Sequence, residues 1–113
     1  MAKREKFYII VNVFVDSNWH LALKEVVGIR LPIKDVEVYV HKDGLYWSIS
    51  CLKTGRRIIR ARCNKNQIIE NFNKFSLNDY KKHMQTEEYQ KQVLLFNKLM
   101  EENNLCLKKW LWL

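Results

Sequence analysis

The sequence predicts an α+β fold in the order β-α-β-β-β-α-α, a mostly antiparallel sheet with helices packed on one face. Three observations predict it. Residues 7–15, FYIIVNVFV, are β-branched or aromatic at nearly every position. Residues 36–63 alternate apolar and polar side chains around two glycine turns, the pattern of a three-stranded meander. Residues 64–103 carry helix-spaced apolar residues behind two capping signals. At 113 residues, 48% of them hydrophobic, the chain can close one core, so a single domain over 1–113 is expected.

The first strand, 7–15, is apolar on both alternating faces, which predicts cover on both sides. Basic residues precede this run as in a signal peptide. Asn12 interrupts it, however, and DSNWH follows where a small-residue cleavage site would stand. No apolar run approaches the roughly 20 residues of a membrane span. A soluble, cytoplasmic protein without a membrane partner is therefore expected. A helix is predicted over 18–27: DSN supplies a cap, and Trp19, Ala22, Leu23, Val26 and Val27 follow one helical face. Gly28 then reads as its stop and Pro32 as a barrier to continuation.

In the meander 36–63, a two-residue Asp43-Gly44 turn sets Val40 against Trp47, Val38 against Ile49 and Val36 against Cys51. A three-residue Lys53-Thr54-Gly55 loop, with Gly55 left-handed, sets Ile49 against Ile59 and Trp47 against Ala61. The opposite face then points to solvent with Glu37, Tyr39, His41, Tyr46, Ser48, Ser50, Arg60 and Arg62. Helices are predicted at 64–75 and 77–103, the second interrupted near Thr86. Asn64 with Gln67, and Ser76 with Asp79, read as capping boxes. Ile68, Phe72 and Phe75, then Tyr80, Met84, Tyr89, Val93, Phe96 and Met100, supply the inward faces. The tail 105–113 is short and apolar; it reads as core closure or an interface, with an added strand completing a homodimer as one form of the latter.

A net charge of +8 points to an anionic partner, either nucleic acid or an acidic protein surface. Six cations lie in KTGRRIIRARCNK: Lys53, Arg56, Arg57, Arg60, Arg62 and Lys65, with no acidic residue from Gly44 to Ile69. Arginine grips phosphate with a two-pronged fork and tyrosine stacks on unpaired bases, so these six with Tyr39 and Tyr46 form the predicted binding set. The run GLYWSISCLKTGRRI resembles the three-stranded arm-binding domain of tyrosine recombinases, in which a strand–KTGKR–strand hairpin lies on DNA. The resemblance is confined to the meander and implies DNA contact by its outer face.

The expectation is a small, non-catalytic nucleic-acid-interacting or regulatory protein. The alternative is a protein-binding inhibitor or adaptor that uses the basic face or Trp110, Leu111, Trp112 and Leu113, residue types common at interface hot spots. In size and composition the chain is similar to small accessory and anti-defence proteins of phages and plasmids. A third reading, metal-free RNA cleavage of the toxin type, would use His41, Tyr39 and Tyr46 as proton-moving groups beside the arginines. Three cysteines without short spacing predict neither disulfides nor a metal site, and the three glycines form no phosphate loop, so no cofactor is expected.

Overall fold

Twelve residues of the chain pair with the strand that follows them, and this long hairpin sets the shape of the molecule. The computed structural model describes residues 3–103. The element order is β1 (Arg4–Val15), β2 (Asn18–Arg30), β3 (Val38–Asp43), β4 (Tyr46–Cys51), β5 (Arg57–Ala61), α1 (Lys65–Asn71), a π-helical turn (Phe72–Ser76), α2 (Leu77–His83) and α3 (Glu87–Glu102). The five strands are antiparallel in sequential order. The fold class is α+β. The predicted tail 105–113, with Trp110, Leu111, Trp112 and Leu113, lies outside the described residues.

Residues 18–27 form a strand, not the predicted helix. Asp16 and Ser17 both take positive φ (51° and 64°), the geometry of a two-residue primed turn that joins Val15 to Asn18. The 19, 22, 23, 26, 27 spacing fits a strand as well, because Ala22 and Val26 then share one face, opposite Val11 and Phe7. A helix would also leave the β1 ladder without its partner. Gly28 is accordingly not a helix stop. A Cβ there would sit 2.7 Å from the Val40 carbonyl oxygen and 2.8 Å from Tyr39 Cδ2, so its missing side chain lets β2 cross onto β3. That crossing is brief, Gly28 to Arg30.

Beyond it, the β1–β2 hairpin curls over the sheet. Ile10 N donates to the Gly55 carbonyl at 2.8 Å, tying β1 to the β4–β5 turn. Phe7 stacks on Tyr39 at 3.6 Å between ring centroids, and Phe7, Ile9 and Tyr39 form a small core on that side. The main core lies on the other side, where Val36, Val38, Val40, Ile49 and Cys51 meet Ile68, Phe72, Tyr80 and Tyr89. The expected cover on both faces of β1 holds only for residues 7–11, buried or half-buried, whereas Phe14 and Val15 are exposed.

The predicted sides of the meander hold, with a register shift of two in the first turn. Gly44-Leu45 is the loop, so Asp43 pairs with Tyr46, Val40 with Ile49 and Val38 with Cys51. Beyond the second turn Ile49 is opposite Ile59 and Trp47 opposite Ala61, as predicted, but the ladder shifts at Ser50 and the loop spans 52–55, one residue more than Lys53-Thr54-Gly55. Gly55 has φ +66°, and a Cβ there would lie 2.4 Å from Phe96.

Asn64 and Gln67 form the predicted capping box, and Thr86 caps α3 at the predicted interruption. Ser76 makes no side-chain cap, because the π-helical turn carries the helical path through it. That turn also changes the phase: Phe72 is buried, whereas Phe75, expected inward, is 75% exposed. Tyr80, Tyr89, Phe96 and Met100 are buried as expected.

Candidate nucleic-acid interface

Strict alternation along β5 would place Arg57 inward with Ile59. A β-bulge prevents this. The ladder shifts between Ile49 and Ser50, so Ser50 pairs with Arg57 while Ile49 pairs with Ile59. Ile58 and Ile59 can then both pack on the main core, and Arg57 and Arg60 both reach Asp43. Arg57 Nη2 donates to Asp43 Oδ2 at 3.1 Å, and Arg60 Nε lies 3.8 Å from the same oxygen. The Arg60 guanidinium sits 4.1 Å over the Tyr46 ring. All four side chains are partly open to solvent, so these ion pairs are screened and readily exchanged for a stronger anion.

The other predicted residues divide. Arg62, just beyond β5, is exposed and has no ion-pair partner among the described residues. Lys53 lies 3.8 Å from Glu37 at the turn. Arg56 lines a recess of about 220 Å³ together with Arg57, Thr54, Tyr80, His83 and Gln92, and its Nε is buried without a hydrogen-bond partner among the described residues. Lys65 opens α1 on the helix side of the sheet. The six cations therefore form no single plane: Arg57 and Arg60 meet at Asp43 beside Tyr46, Arg56 shares with Arg57 the recess beside Tyr80, and Lys65 lies at the start of α1.

Tyr39, His41, Ser48 and Ser50 were expected in solvent and are instead fully covered, at 0–1% exposure. The curl of β1 is the cause. Tyr39 is thus removed from the candidate surface, and the sheet face that the recombinase resemblance would lay on DNA is closed at its centre. His41 Nε2 lies 2.9 Å from Ser50 Oγ. Burial holds the imidazole below its ordinary titration range; Asp43 opposes this, while Arg57 and Lys24 reinforce it. Burial likewise pushes the Tyr39 phenol well up. Of the three candidate proton-moving groups, His41 and Tyr39 lie inside and Tyr46 on the rim.

Sequence reasoning missed a second basic concavity. Arg4, Lys42 and Lys65 surround a recess of about 320 Å³ whose lining includes Ile29, Val40 and half-buried Trp47. The missing signal was the register: once Asp43 pairs with Tyr46, Lys42 is opposite Trp47 on the same side of the sheet. Tyr46 and Trp47, adjacent on β4, present an aromatic ring to each face.

Comparison of the chain with protein-family models, with curated proteins and with solved structures found no match. Among the described residues, no group of three or more His, Cys, Asp or Glu could hold a metal ion, and no helix is long and apolar enough to cross a membrane.

Proposed function

We propose that the protein binds nucleic acid, without catalysing its cleavage, through the edge strand β5 and Tyr46 on the neighbouring β4. The observation that carries this reading is the bulge that turns Arg57 out beside Arg60 and Tyr46, with exposed Arg62 next along the chain. Phosphate competes well for such arginines because their one carboxylate partner, Asp43, is shared between two of them. The tyrosine adds a surface on which an unpaired base stacks. Direct titration of labelled single- and double-stranded DNA and RNA at low salt tests the reading. Binding to at least one of these is the expected result, and absence of binding to all of them sinks it.

A second reading, an inhibitor or adaptor that binds protein, is favoured by a different observation. Phe14 and Trp19 pack against each other at 5.2 Å on the far end of the β1–β2 hairpin, 60% and 69% exposed, beside exposed Val15 and Leu21. Clustered exposed aromatic and aliphatic side chains of this kind mark interaction surfaces.

A further inference from the structure

The geometry points to a nucleotide-binding recess on the helix side of the sheet, specific for single strands, in which a base stacks on Trp47 and its phosphates meet Arg4, Lys42 and Lys65. This rests on the nucleic-acid reading and deepens it.

Three features carry the inference. The rim holds three cations, Arg4, Lys42 and Lys65, none with an ion-pair partner among the described residues. No carboxylate lines the recess, so nothing within it neutralises them. Its lining mixes polar and apolar groups, with Ile29, Val40 and half-buried Trp47 among the apolar ones and His41 beside them, and its volume of about 320 Å³ is on the scale of small-ligand sites. An aromatic side chain inside a cationic rim complements an unpaired nucleotide, which has a flat face and a charged backbone. A duplex offers the charge but hides the faces of its bases. Tyr46 and Trp47 are consecutive on β4, so their side chains lie on opposite faces of the sheet.

Tryptophan fluorescence tests this directly. Titration with a short oligothymidylate should quench emission, and Trp47→Phe should remove most of that quench while Trp19→Phe retains it. The double variant Lys42→Gln/Lys65→Gln, at two exposed positions, should keep the wild-type melting temperature. It should bind the oligonucleotide about tenfold more weakly, the scale of one lost stacking or charged contact. Its affinity for a duplex of mixed sequence should stay within a small factor of wild type. If the oligonucleotide binds but both variants bind and quench like wild type, the recess is not the site, and the β4–β5 edge alone accounts for binding. If neither single strand nor duplex binds, the recess and the nucleic-acid reading fall together.

Discussion

His41 illustrates how one residue couples the chemistry of the sheet to pH. It is buried beside Ser50, its Nδ1 has no hydrogen-bond partner among the described residues, and burial favours its neutral form. In the unfolded chain the ordinary value is 6.5. Above that pH neither state carries the proton, so His41 leaves stability unchanged. Below it the unfolded chain takes up a proton that the fold refuses, and stability falls until the lower folded value is reached. The melting temperature should therefore drop by a few degrees as pH passes from 7 towards 5, ahead of the main carboxylate titration near about 4. His41→Gln should flatten that slope; an unchanged slope would mean that the imidazole is not held neutral. Gly28 shows the same dependence on surroundings. Its role as a crossing point between β2 and β3 depends on Tyr39 and Val40, which are distant in sequence, and a local reading made it a helix stop.

At the scale of elements, the two sides of β4 give a direct test of the closed sheet face. Ile49 and Ser48 are both fully buried, one against the helices and one beneath the β1–β2 hairpin. Ile49→Lys and Ser48→Lys should both unfold the protein or nearly so. An unpaired buried ammonium costs several kcal/mol, comparable with the roughly 5–15 kcal/mol stability of a domain. Retention of normal thermal unfolding by Ser48→Lys would show that the hairpin does not close over that face. The far end of the hairpin should behave oppositely: Phe14→Ser with Trp19→Ser should leave the melting temperature within a few degrees of wild type. Loss of self-association or of a co-purifying protein in that variant would support the adaptor reading, and normal behaviour in both would remove it. The left-handed Gly55, the caps at Asn64 with Gln67 and at Thr86, and the alternating valines of β3 were legible because their signals are local. The strand at 18–27 was not, since spacing that suits a helix also distributes across two faces of a strand. Phe75 was misread because a π-helical turn, which shifts helical phase by one residue, leaves no pattern in the apolar spacing.

At the scale of the whole molecule, the cations of the candidate interface do not form a flat platform. Arg57, Arg60 and Arg62 lie along β5 and just beyond it, while Arg4, Lys42 and Lys65 ring the recess on the helix side. The cation cluster was legible in KTGRRIIRARCNK, but its division between faces was not, because the bulge at Arg57 and the curl of β1 are set by contacts distant in sequence. Such an edge suits a flexible polyanion that can bend around it. The most direct test of nucleic-acid binding is the salt dependence of affinity for a duplex and for a single strand, with wild type and Arg60→Ala/Arg62→Ala compared. Neutralising about four phosphates gives a log–log slope near −3 to −4 on a duplex, and a shallower one on a single strand, which releases fewer counterions per phosphate. The double variant should bind more weakly and lower the duplex slope by about 2, with its melting temperature unchanged. No binding at low salt, or a slope that the two substitutions leave untouched, would contradict binding through this edge.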